Sequence, residues 1–430
     1  MNAPLRIAIA GLGTVGTGVI KLLDESGELI AQRGGRPIEI GAVSARNRDA
    51  NRGVHIDRFK WWDDALALAK DPDTDVFVEL IGGADGIALQ AVMAALRSGK
   101  HVVTANKALI ALHGVELARL AERHKVALRF EAAVAGGVPI IKTLREGLVA
   151  NRISRIYGIL NGTCNYILTN MEATGRDFHA VLSDAQAQGY AEADPAFDVG
   201  GIDTAHKLAI LSSLAFGCET DFAGIYIEGI ENISAHDIAV VGELGYRIKL
   251  LGLASMTEHG VEQRVHPCLV PQNRPIAAVD AVTNAIVVDT DKAGRIVLEG
   301  PGAGQAPTAS AVMADLVDLA RGHVHPAFMV PADRLKPMSP SPMEHHVGAY
   351  YLRLTALDKA GVMAAIAEDL AEEGVSLASI IQRGAEHLET VPIILVTHEC
   401  QESVMKRALA RIAAHDSIVK PPRMIRIETL

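Results

Sequence analysis

The 430-residue chain has only four cysteines, Cys164, Cys218, Cys268 and Cys400, scattered without metal-ligand spacing. That scarcity argues against a disulfide-stapled or zinc-held fold and suits a reduced, cytoplasmic protein. Positive charge is also short. The net charge is −10, and no basic stripe is present of the kind a nucleic-acid surface needs. No apolar run approaches the roughly 18 residues of a membrane span. At the N-terminus, "MNAPLRIAIAGLGTVG" has too brief an apolar stretch for a signal peptide and breaks into glycines, so it reads as a strand and loop. What remains is an ordinary globular composition, 49% apolar and 21% charged, long enough for two or three domains.

"LRIAIAGLGTVGTGVIKLL" places Gly11, Gly13 and Gly16 between an apolar strand and a helix-periodic segment. This is G-x-G-x-x-G in the setting it requires. Gly11 permits the tight turn, Gly13 lets a pyrophosphate approach the backbone, and Gly16 lets helix and strand pack closely. The first helical turn, with Thr14 and Val15, offers free N–H groups to phosphate. Further strands, "IEIGAVSA", "DVFVELIGG" and "KHVVTAN", alternate with helices, which predicts a doubly wound parallel sheet. The second strand ends in Ser44-Ala45-Arg46-Asn47-Arg48, with no acid until Asp49. NAD sites usually carry Asp or Glu there, whereas Arg46 suits a 2′-phosphate, so NADP is expected ahead of NAD. Lys107 in "TANKAL" falls just past a strand end, where a cofactor or substrate contact and a solvated loop lysine are both open readings.

Between Gly189 and Lys207 the sequence "GYAEADPAFDVGGIDTAHK" crowds four acids, Glu192, Asp194, Asp198 and Asp203, ahead of an apolar run. Asp203 and Lys207 are four apart and share a helical face. An exposed ion pair, worth about 0.3–0.5 kcal/mol, explains that spacing as well as catalysis does. A lysine can donate a proton to a carbonyl oxygen as hydride arrives at carbon, and carboxylates can hold a substrate ammonium.

The runs "NGTCNYIL", "AQAQGYAEADPAFDVGGIDTAHKLAIL", "GLGTVGTGV", "TANKAL", "EAAVAGGVPI" and "GPGAGQAPTASAV" together resemble homoserine dehydrogenases over most of residues 5–320. Cys164 stands where that family usually has Thr. The resemblance implies reversible reduction of L-aspartate 4-semialdehyde to L-homoserine with NAD(P)H, in threonine, methionine and isoleucine biosynthesis. It implies that Lys207 protonates the substrate oxygen, that Glu192 and Asp203 bind substrate, and that Asp194 and Asp198 support them. By the same resemblance, Lys107, Gly189 and Gly304 border the cofactor. Glu131, with the backbone carbonyls of Val134, Gly136 and Val138, matches a monovalent-cation site, expected to hold Na+. The carboxylate beside Lys207 is expected to favour its charged form, which suits proton donation.

Residues 326–347, with Pro326, Pro331, Pro337, Pro340 and Pro342, read as a linker. Beyond it the order βαββαβ predicts a ferredoxin-like unit over 348–430. With the "LDKAGV" turn at Leu357–Val362, it resembles an ACT domain, which implies an amino-acid effector, here L-threonine. The expected organisation is a Rossmann-type domain to 142, an α/β substrate and dimerisation domain over 143–305, and a returning helix over 306–325. A homodimer or homotetramer is expected. Two other readings are a nucleotide sensor without catalysis and a semialdehyde dehydrogenase that uses Cys164 as nucleophile.

Overall fold

The computed structural model describes residues 3–191, 194–382 and 389–430. Strand Leu5–Ala10 lies inside a six-stranded, all-parallel sheet. Taken in chain order, the strands are arranged third, second, first, fourth, fifth, sixth. The order reverses between Leu5–Ala10 and Val76–Glu79, and such a reversal opens a crevice beyond the carboxyl ends of the strands. The strand is apolar on both faces because both faces are covered. Leu5, Ile7 and Ile9 pack toward helices Thr14–Gly34 and Gln305–Ala320, while Ala8 and Ala10 pack toward Ile87–Arg97 and Lys107–Arg123. The 305–320 helix returns from late in the chain. It lies so close that a Cβ on Gly18 would sit 2.8 Å from Gln305.

The middle of the chain changes style. Strands Ile153–Ile159, Tyr246–Thr257, Gly260–Pro271, Thr283–Thr290 and Arg295–Pro301 pair antiparallel. Helix Ile202–Phe216 packs against this sheet and is buried nearly all round, from Asp203 to Leu214. A helix apolar on every side belongs in a core, so the charged pair it carries is buried too.

The last four long strands stand in the order 418–427, 347–357, 390–397, 377–382, with helices Val362–Glu372 and Glu402–Ala413 between them in sequence. This is the ferredoxin-like arrangement. It is not a separate sheet. Gly260–Pro271 pairs parallel with Ile418–Ile427 through Cys268↔Arg426 and Leu269↔Ile427, so a single sheet crosses from the middle region into the C-terminal one. The proline-rich stretch before it is a packed strap. Phe328 meets Phe130 at 5.5 Å between ring centres, the Ala332 N–H donates to Glu122, and Pro340 bridges Val261. Among the described residues no helix is long and apolar enough to cross a membrane.

Candidate active site

The glycine loop follows the first strand at the switch point. Gly11 has φ +99, and a Cβ there would lie 2.3 Å from the Leu80 carbonyl oxygen. A Cβ on Gly16 would lie 2.1 Å from the Gly11 carbonyl oxygen. Gly13 is different: a Cβ there would meet nothing within 4 Å. No described residue would meet that Cβ, so the open space above Gly13 fits a group from outside. No side chain caps the helix that begins at Thr14, which leaves first-turn N–H groups for a phosphate. These residues fit a dinucleotide.

Two cavities flank this loop. One, of about 490 Å³, is lined by Gly11, Gly13, Ser44, Arg46 and Arg52. Arg52 fixes the loop after the second strand by donating to the carbonyls of Leu12, Arg48 and Ala50. Sequence reading missed Arg52, because a loop arginine eight residues past a strand end follows no spacing rule. The other cavity, of about 540 Å³, lies between the parallel sheet and the middle region, and Val15, Gly136, Gly189 and Gly304 line it along with the charged groups.

Those charged groups form one cluster. Asp203 is buried and sits between two lysines, Lys207 at 2.8 Å and Lys107 at 2.6 Å. Lys107 stands at the start of its helix because Asn106 caps it, accepting from the Leu109 N–H. Lys207 also donates to the Leu160 carbonyl at 2.6 Å, and Asn284 donates to the same oxygen at 3.1 Å. Asn161 caps helix Gly162–Thr174 and donates to both Asp198 (2.9 Å) and Asp203 (2.8 Å). Thr163 ties Asp198 to the Tyr190 carbonyl. Sequence reading did not single out Asn161, Thr163 and Asn284. The first two lay in a quoted motif, but Asn284 sits in a strand with no signal beyond being polar.

Burial pushes the Asp203 carboxyl up, but Lys207 and Lys107 together hold it well below the usual carboxylate range. Burial pushes Lys207 down, and although Asp203 opposes this, Lys107 adds to it, so the net direction is downward. The carboxylate effect expected from the sequence is present, but it does not set the net direction. Asp203 does favour the charged lysine, but it is divided between two lysines and cannot offset desolvation. Burial, with Asp203 beside it, raises Asp198. His206 turns away and stacks on Phe222 at 4.4 Å.

Other expected residues are placed less centrally. Asp194 is exposed, and its carboxylate accepts from the Ala196 N–H. Glu192 lies outside the described residues. Cys164 lies in the first turn of helix 162–174. It is fully buried, and burial followed by Asp198 raises its thiol well above the usual range. A protonated, enclosed thiol is no nucleophile, which removes the Cys-dependent reading.

Glu131 is buried. Its carboxylate accepts the N–H groups of Ile141 (3.0 Å) and Lys142 (2.8 Å), and burial, then Asp315, pushes it up to about 8. The loop that follows turns through Ala135 at φ +55 and Gly136 at φ +51. A Cβ on Gly136 would lie 2.5 Å from the Gly302 carbonyl oxygen. Asp315 accepts from the Glu131 N–H at 2.8 Å through Oδ2, and its buried Oδ1 has no hydrogen-bond partner among the described residues. Two buried acids, one with an orphaned oxygen, fit a cation among them.

A parallel nucleotide sheet, a glycine loop with space above Gly13, and a buried lysine–carboxylate cluster across one cleft define a nicotinamide-dependent oxidoreductase. The homoserine dehydrogenase NAD-binding family model matches residues 11–131, the homoserine dehydrogenase model 139–317 and the ACT model 350–416. The homoserine dehydrogenase of Pseudomonas aeruginosa is 47% identical over 99% of each chain. The crystal structure of a homoserine dehydrogenase from Thiobacillus denitrificans is 45% identical, with a TM-score of 0.94 over 99% of this chain and 98% of that one. A hyperthermophilic archaeal homoserine dehydrogenase in complex with NADPH is 25% identical, with a TM-score of 0.65 over 75% of this chain and 100% of that one. The chain belongs to the homoserine dehydrogenase family.

Proposed function

We propose that this enzyme reduces L-aspartate 4-semialdehyde to L-homoserine with NADPH and runs the reverse reaction, in the biosynthesis of threonine, methionine and isoleucine. The observation that carries this reading is Asp203 held between Lys107 and Lys207 in the cavity beside the glycine loop. A reduced nicotinamide supplies the hydride that reaches the carbonyl carbon. Lys207 donates the proton to the carbonyl oxygen. As an ammonium it has three N–H groups; Asp203 and Leu160 accept from it, which leaves capacity for the substrate. Its lowered pKa eases proton transfer at neutral pH. Asp203, with Glu192, holds the substrate ammonium, and Asn161, which also donates to the supporting Asp198, fixes Asp203 in place.

Gly11, Gly13 and Gly16, with the helix that begins at Thr14 and Val15, take the pyrophosphate. Arg46 reads the 2′-phosphate of NADP, and Gly189 and Gly304 border the nicotinamide half. Glu131 and the carbonyls of Val134, Gly136 and Val138 hold Na+; the paired buried acids support this. The C-terminal domain binds L-threonine as a feedback inhibitor, and the enzyme works as a homodimer or homotetramer. The test is spectrophotometric oxidation of NADPH with L-aspartate 4-semialdehyde. Robust turnover is expected, and none would overturn the reading. Titrating threonine into the full chain is expected to lower that rate; an unchanged rate would remove the regulatory part.

A further inference from the structure

Asp198 and Asp203 flank a tight turn, Val199-Gly200-Gly201, and that turn is built against another segment, Tyr226–Ile230. The Ile230 N–H donates to the Val199 carbonyl at 2.9 Å. A Cβ on Gly229 would lie 2.4 Å from the Val199 carbonyl oxygen, and one on Gly201, at φ +86, would press Val265 and Ile227 at 3.1 and 3.2 Å. The contact therefore has no slack. Tyr226–Ile227 is also a short parallel strand on Gly260–Pro271, and the Glu228 N–H donates to the Val265 carbonyl at 2.8 Å.

The same segment faces the C-terminal domain with two side chains: the Tyr226 ring lies 4.7 Å from the Arg426 guanidinium, and Glu228 supplies the charge. Glu228 receives Arg423 and Arg426, both from strand 418–427 and both at 3.1 Å, and the Tyr226 hydroxyl donates to it at 3.2 Å. Glu228 is not needed to anchor that strand. Glu402 already takes Arg426 through two bonds of 2.7 and 2.5 Å, and the strand pairs antiparallel with 347–357 and parallel with Gly260–Pro271. The two arginine partners of Glu228 lie in the C-terminal domain, while its backbone neighbours pack against the turn that carries Asp198 and Asp203.

We propose that Glu228 is a positioning residue for the reaction, passing the placement of strand 418–427 through Tyr226–Ile230 to the turn that carries Asp198 and Asp203. The inference rests on the proposed substrate role of Asp203. Packed segments of this kind modulate distant sites by amounts that correspond to about 3- to 30-fold in affinity. The test uses the full-length enzyme, with Glu228→Gln, Glu228→Asp and Arg423→Gln beside Asp203→Ala.

Glu228→Gln is expected to raise the substrate KM about 3- to 30-fold, with the NADPH KM within about twofold and Tm nearly unchanged. Glu228→Asp should recover part of that loss, and Arg423→Gln should show a weaker version without touching Glu228. A fall in Tm with an unchanged substrate KM would make Glu228 purely structural and overturn the inference. If Glu228→Gln fails to fold, Arg423→Gln decides on the same readout. If Asp203→Ala leaves the substrate KM unchanged, the reading of the site fails. If Asp203→Ala raises it while neither Glu228 nor Arg423 variants do, the inference alone fails.

Discussion

Two buried ion clusters in this chain are opposites. In the cleft, one carboxylate, Asp203, is divided between Lys107 and Lys207 beside an open cavity. At the junction with the C-terminal domain, Arg426 and Glu402 meet in two bonds, with both side chains almost wholly buried. The geometry at Arg426 pushes its guanidinium further up, despite burial, so that pair is closed and settled. Lys207 is pushed down, so the cleft cluster has groups whose needs the protein alone does not meet. What sets the cleft apart is the combination of a perturbed lysine, a shared carboxylate and an open cavity beside them.

The sharpest break in that contrast comes from Lys207→Ala. Turnover should fall about 10²–10⁴-fold, the usual share of a general acid, with Tm nearly unchanged because Lys107 still partners Asp203. Rate and thermal melting on one preparation check this, and near-full turnover would end the assignment. Glu402→Ala should do the reverse. Leaving Arg426 buried without its main partner costs about 3–5 kcal/mol of stability, read by urea unfolding, while kcat per folded molecule changes little. If Glu402→Ala instead struck kcat and spared stability, the contrast would be wrong.

Sequence alone made one side of this contrast legible. The Gly11–Gly16 loop could be read because its glycines answer to local backbone rules, and the βαββαβ order because strand and helix periods alternate. Asp203 and Lys207 were visible as an i,i+4 pair, yet their burial was not. Burial depends on Leu160 and Asn161, just past strand 153–159, and on Asn284 in strand 283–290, all distant in sequence. The effect of Lys107 on Lys207 was hidden for the same reason: the two lie 100 residues apart and meet only at Asp203. The fusion of two domains into one sheet was equally unreadable, since it rests on two residue pairs, Cys268↔Arg426 and Leu269↔Ile427.

Arg46 extends the idea of unmet need to the cofactor. It is exposed at the rim of the cavity of about 490 Å³, beside the loop fixed by Arg52. Losing one charge-assisted contact to a 2′-phosphate corresponds to about tenfold or more in affinity. Arg46→Ala should therefore raise the KM for NADPH about tenfold and leave that for NADH nearly as it was. Equal changes for both would show that Arg46 does not read the phosphate.

The finest adjustment concerns pH. Reduction needs Lys207 as an ammonium, so kcat in that direction should fall as pH rises through the pKa of Lys207. Burial and Lys107 hold that pKa below the usual lysine range, so the falling limb should come earlier than for an ordinary lysine. Lys107→Ala removes a like charge and gives Asp203 wholly to Lys207, and both changes raise the pKa. The limb should then move to higher pH, and the rising limb of homoserine oxidation, which needs the neutral amine, should move with it. Profiles of kcat in both directions for the wild type and Lys107→Ala test this. A limb that stays in place would mean that Asp203 is not shared in the working enzyme, and the imbalance that separates the cleft from the Arg426 junction would be lost.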